Sequence, residues 1–247
     1  MALIIAGERS GVGKTTVTLA LLSCLSRRGL RVQSFKVGPD YIDPMCHRHV
    51  TGRACRNLDP VLTSENYVKE CFNNYSNLSE YSVIEGVMGL FDGVNRITPR
   101  LPLPLLNAGI DKKKTRSLRF IKTGVNNFAS TAHIAKLLNV PVLLVIDCSR
   151  LSGAVAAIVH GYCSFDKDIQ IAGVILNRVG SNRHLSLLKN SLEPLNIPIF
   201  GILHRQDNIA IPDRHLGLIP TAELPELNQL IDKLVDIGET CFDWKNL

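Results

Sequence analysis

Apolar residues along this chain fall into two rhythms. Short, nearly continuous aliphatic runs at residues 3–6, 32–36, 82–85, 142–147, 172–177 and 199–202 predict buried strands. Between most of them the spacing becomes helical. Val17, Leu21, Leu22 and Leu25 mark a helix over 14–28 that stops at Gly29, and similar periods predict helices near 130–138, 153–164, 183–192 and 223–236. Strands alternating with helices imply an α/β fold, a mostly parallel sheet with helices on both faces. Ligands of such sheets bind at the carboxyl ends of the strands. The 247 residues read as one domain.

Residues 96–124 break the rhythm. They hold Pro99, Pro102, Pro104 and the run Lys112-Lys113-Lys114, with eight cations against the single anion Asp111, and predict an exposed, disordered insertion. The formal net charge of +6 therefore sits in one segment, which argues against a nucleic-acid-binding body. Seven cysteines are scattered without a CxxC pair, and no apolar run approaches the roughly 20 residues of a membrane helix. The expectation is a cytoplasmic protein without disulfides, zinc or a membrane partner.

Candidate chemistry begins at the first turn. Gly7-Glu8-Arg9-Ser10-Gly11-Val12-Gly13-Lys14-Thr15-Thr16 lies between a strand and a helix, the context of a P-loop. Its glycines let backbone N–H groups of Gly11, Val12, Gly13, Lys14, Thr15 and Thr16 face the phosphates of ATP. Lys14 reaches the terminal phosphates, and Thr15 offers its hydroxyl to Mg2+. Five residues rather than four separate Gly7 from Gly13. This spacing resembles dethiobiotin synthetase and its relatives, a P-loop NTPase branch that includes the MinD and ParA ATPases. Where those ATPases carry a second lysine, Arg9 stands here; it either acts on phosphate across a homodimer interface or is a solvated loop residue.

Two further segments follow putative strands: Gly38-Pro39-Asp40-Tyr41-Ile42-Asp43-Pro44 and Glu85-Gly86-Val87-Met88-Gly89-Leu90-Phe91-Asp92-Gly93. Together with Thr51-Gly52-Arg53, Asn57-Leu58-Asp59, Ser130-Thr131-Ala132 and residues 212–218, they resemble the cobyrinic acid a,c-diamide synthases, which amidate two acetate side chains of a corrin. The resemblance implies an ATP-dependent ligase that activates a carboxylate as an acyl phosphate for attack by ammonia. It implies Asp40 and Glu85 as magnesium ligands beside Thr15, Lys36 on the transferring phosphoryl group, and Asp92 orienting ammonia or the substrate carboxylate. Tyr41 and Asp43 would line the substrate side, Arg214 and His215 would meet the corrinoid (cobyrinate), and Asn177 would read adenine. The other histidines, His47 among them, are not spaced as a metal site and read as packed or solvated.

This chain departs from those synthases in two ways. They continue into a glutamine amidotransferase domain with a nucleophilic cysteine, whereas Cys241 lacks a glycine-rich nucleophile turn. The expectation is a truncated or split form that uses ammonia or a separate glutamine amidotransferase, or an inactive remnant that still binds nucleotide. The basic insertion also replaces a short connector beside the expected corrin site, where it either obstructs the substrate or closes over it. A competing expectation is a nucleotide-switched ATPase of the MinD/ParA kind.

Overall fold

Strand β1 (Ala2–Gly7) sends Leu3 and Ile5 into one apolar layer and Ile4 and Ala6 into the other, and all four are buried. A strand apolar on both faces needs a cover on both. The computed structural model, which describes residues 1–94, 127–205 and 224–247, supplies that cover. The basic stretch at 96–124, with the disorder expected of it, and the candidates Arg214 and His215 lie outside the described residues.

Among the described residues seven strands form one sheet: β1, β2 (Val32–Val37), β3 (Arg56–Leu58), β4 (Tyr81–Glu85), β5 (Val142–Asp147), β6 (Ile171–Val179) and β7 (Ile199–His204), in the order β3-β2-β4-β1-β5-β6-β7. Each ladder between neighbouring strands is parallel. Helices α1 (Lys14–Arg27) and α2 (Ile42–Thr51) cover one face together with α7 (Leu224–Cys241). The opposite face carries α3 (Glu65–Ser76), α4 (Thr131–Leu138), α5 (Ala154–Phe165) and α6 (Asn182–Leu192).

The chain leaves β1 for β2 and β3, returns to β4 beside β1, then crosses to β5 on its other side. The carboxyl end of β1 thus lies where the winding reverses, the position at which such sheets bind ligands. Three elements had no expectation behind them. In α2 only Cys46 and His47 are buried, in α3 only Val68, Cys71 and Phe72, and β3 is three residues long, so each carries too few apolar positions to set a period.

Caps mark the helix starts. Ser64, Ser130 and Ser181 each accept a hydrogen bond from the N–H three residues on, at 3.1–3.2 Å. Thr131 ties α4 to the segment after β4: its hydroxyl accepts from Val87 N at 2.9 Å and donates to Val87 O at 3.1 Å, while Ala132 N donates to Leu90 O at 2.8 Å. The two segments flanking the basic stretch meet as well, Val94 N donating to Phe128 O at 2.8 Å.

Candidate active site

At the end of β1 the backbone turns through Gly11 and Gly13, with φ of 76° and 96°. A side chain is strained in that region, and a Cβ on Gly13 would also come within 2.3 Å of Asn177 Nδ2. Helix α1 starts from Gly13, whose carbonyl accepts from Val17 N at 3.0 Å. The N–H groups of Lys14, Thr15 and Thr16 therefore have no acceptor four residues upstream, and the helix start has the donors that suit an anion. Val12 is fully buried and anchors the loop. Lys14 Nζ donates to Met88 O at 2.6 Å and Arg9 O at 3.4 Å, so carbonyls hold it. Burial pulls the Lys14 ammonium below its ordinary value, Lys36 adds to that pull, and Glu85 opposes it.

Behind the loop lies a buried cluster of charge. Glu85, the last residue of β4, accepts at Oε1 from Thr15 Oγ1 at 2.6 Å and from Lys36 Nζ at 2.9 Å. Its Oε2 meets His47 Nε2 at 2.7 Å, and neither side chain has any exposure. Lys36 also donates to Asp43 and lies 3.6 Å from Asp40 Oδ2. Asp43 Oδ2 is 3.5 Å from Thr15 Oγ1.

Burial would neutralise these groups, yet their mutual charges prevail for most of them. For Glu85 burial acts upward, but Lys36, His47 and the Thr15 hydroxyl hold the carboxyl far below its usual range. Lys36 is raised, the charges of Glu85 and Asp43 outweighing its burial. Asp43 goes the other way: burial and the adjacent Glu85 charge push it up to about 6 against the pull of Lys36.

The oxygen donors of Thr15, Asp43 and Glu85 suit a hard cation. Among the described residues no group of three His, Cys, Asp or Glu side chains gathers as a metal cage. Magnesium here would complete its shell with phosphate oxygens and water, as it does in phosphate sites.

A sequence model of the CobQ/CobB/MinD/ParA nucleotide binding domain matches residues 3–219. The chain belongs to that family.

Similar family proteins include cobyrinate a,c-diamide synthases of Synechococcus sp., 58% identical over all 247 residues and 48% of that protein, and of Synechocystis sp., 54% identical over all of this chain and 46% of that one. A hydrogenobyrinate a,c-diamide synthase of Streptomyces coelicolor is 42% identical over 90% of this chain and 40% of its own. The chain spans about half the length of the curated relatives it matches. Among solved structures, chloroplast FtsY from Physcomitrella patens matches with a TM-score of 0.49 and 14% identity, over 94% of this chain and 64% of that one.

Within this CobQ/CobB/MinD/ParA domain the structure brings Thr15, Lys36, Asp43 and Glu85 together, with Asp40 at the rim. Each of the two aspartates has local partners of its own. Asp40, expected on magnesium, accepts at Oδ1 from Ile42 N at 2.8 Å, where α2 needs an acceptor for its first N–H groups, and keeps Oδ2 3.6 Å from Lys36 Nζ. Asp43, expected on the substrate side, is one residue inside α2 and turns back onto Lys36. Tyr41 is 79% exposed, a side chain offered outward.

Asp92 Oδ2 accepts from Gly89 N at 2.8 Å, holding closed the turn that presents Met88 O to Lys14. Asn177, expected at adenine, donates from Nδ2 to Val12 O at 2.8 Å and accepts at Oδ1 from Arg178 N at 2.9 Å. The amide nitrogen thus braces the loop, while the oxygen is engaged by the next residue of its own strand. Arg9, with 58% of its side chain exposed, pairs with Glu8 and, at 3.2 Å, with Asp147. His47 was missed as a site residue. Its signal is the four-residue step from Asp43, which puts both on one face of a helix that the polar sequence did not reveal.

Proposed function

We propose that this chain is the synthetase unit of a cobyrinate a,c-diamide synthase, forming amides at the a- and c-acetate carboxylates of the corrin in cobalamin biosynthesis. The observation that carries the reading is 58% identity along the whole chain to a protein of that name. The buried cluster has the chemistry the reaction needs. Bound ATP with Mg2+ supplies the γ-phosphoryl group that makes a carboxylate electrophilic. The substrate carboxylate oxygen bonds to that phosphorus as ADP leaves; ammonia then attacks the acyl carbon, phosphate departs and the amide remains.

The chain's own part is charge and alignment, which dominate phosphoryl transfer. Loop N–H groups and Lys14 hold the phosphates, and Lys36 meets the negative charge of the transferring group. Thr15 and Glu85, with Asp43 beside them, hold the magnesium. His47 holds Glu85 in orientation through Oε2. Asp40 and Tyr41 face the substrate, and Asp92 keeps the Met88 turn in place. Ammonia arrives free or from a glutamine amidotransferase.

The test is incubation of the purified chain with cobyrinate, ATP, magnesium and ammonium. Mass spectrometry should find the hydroxyl-to-amino shift at each converted carboxylate, dependent on ATP and absent in Lys14→Ala. No conversion, together with no effect of cobyrinate on ATP hydrolysis, would sink the reading.

A further inference from the structure

A cavity of about 480 Å³ opens beside Asp40, between α2, β3 and the start of α3. Its volume lies within the range of small-molecule pockets. Helix spacing builds one wall, since Tyr41, Pro44, Met45 and Arg48 follow steps of three and four residues. Four of the chain's exposed large hydrophobics, Tyr41, Met45, Leu62 and Tyr67, line this one cavity with 50–79% exposure. Clustered exposed apolar surface marks a binding site.

Two arginines line the same space, Arg48 from α2 and Arg56 from β3. Arg9, Arg27, Arg28, Arg31 and Arg178 each pair with a carboxylate. Arg48 and Arg56 form no such pair among the described residues. The Arg56 guanidinium lies 4.2 Å from the centre of the Tyr75 ring, and its Nε is buried without an acceptor. It has given up water without gaining a partner there, an arrangement that favours an incoming anion. The cavity's two acidic residues do not pair with these arginines: Asp40 is turned to Lys36 and the α2 backbone, and Asp59 accepts at Oδ1 from the N–H groups of Val61 and Leu62 at 2.8 and 3.2 Å, while its Oδ2 is buried without a partner.

We propose that this cavity is a second carboxylate subsite, in which Arg48 and Arg56 hold a non-reacting carboxylate arm of the ring substrate while the apolar wall receives the hydrocarbon edge. The proposal rests on the corrinoid reading above. Through Asp40 and Tyr41 the cavity adjoins the Lys36 cluster, so an arm held here sets which neighbouring acetate reaches the phosphoryl group. Arg48 and Arg56 are therefore specificity residues rather than catalytic ones.

The experiment compares the full chain with Arg48→Met, Arg56→Met and the double variant in cobyrinate amidation, and in equilibrium dialysis of cobyrinate. Each single variant should raise the cobyrinate KM and Kd roughly tenfold or more, the worth of one charge-assisted contact. The KM for ATP should stay within a factor of two or so, and Arg56→Lys should recover part of the loss. Arg48 is exposed on a helix, so its variant reports even where Arg56→Met disturbs packing on Tyr75. If the wild-type chain amidates cobyrinate and both single variants and the double keep its KM and Kd, the subsite is refuted and the function stands. If the wild-type chain neither binds nor amidates cobyrinate, both fall.

Discussion

At the scale of single residues, the centre of this molecule is one carboxylate with two opposite loyalties. Glu85 offers Oε1 to Thr15 and Lys36 and Oε2 to His47, and Glu85, His47 and Lys36 are all buried. Burying such charges is costly unless each is paired, and removing one partner costs more than the pair is worth. His47 makes this visible as a pH effect. Burial opposes its charge, but hydrogen bonds to Cys55 and Glu85 and the charge of Glu85 push it up to about 9, from an ordinary 6.5. Because the folded value is the higher one, the stability it contributes is complete below pH 6.5 and is lost as pH rises through about 9. Thermal midpoints measured from pH 6 to pH 10 should fall across that window, and His47→Gln should flatten the fall. An unchanged slope in the variant would show that His47 is not the titrating group. None of this was legible beforehand, since a histidine in a polar stretch carries no sign of the glutamate 38 positions away.

At the scale of elements, the phosphate loop is held from below by Asn177 and closed from the side by the Glu85–Asp92 turn. Gly13 is the tightest point, with φ of 96° and a would-be Cβ 2.3 Å from Asn177 Nδ2. Gly29, at the end of α1, shares the conformation with φ of 76° but has open space around it. The pair separates strain from obstruction. Gly29→Ala should cost about 1–2 kcal/mol of unfolding free energy and leave ADP binding intact. Gly13→Ala should abolish ADP binding in calorimetry, because the loop cannot keep its path. Equal ADP affinity in the two variants would contradict the loop geometry. The glycine pattern made this loop readable in advance, whereas α2, which delivers Asp43 and His47, is polar and was not foreseen.

For the whole molecule, a nucleotide that binds only the folded state adds to its stability by mass action. Magnesium with ADP at a hundred times its Kd should add about 2.7 kcal/mol, read as a raised denaturant midpoint, and Lys14→Ala should lose that gain. A midpoint indifferent to nucleotide would argue against the phosphate site altogether. The backbone bond between Val94 and Phe128 brings the two flanks of the basic segment to one point of this body, so the sheet is continuous without it. Taken alone, the order of residues determined the parallel sheet, most of its helices and the phosphate loop, because apolar period and glycine placement act over a few neighbours. Only the tertiary structure decided that Asp43 hydrogen-bonds Lys36, that His47 braces Glu85, and that Arg48 and Arg56 line a cavity without a carboxylate partner among the described residues. Those outcomes depend on how α2 and β3 dock against the edge of the sheet, and a polar helix and a three-residue strand leave no periodic trace of that docking.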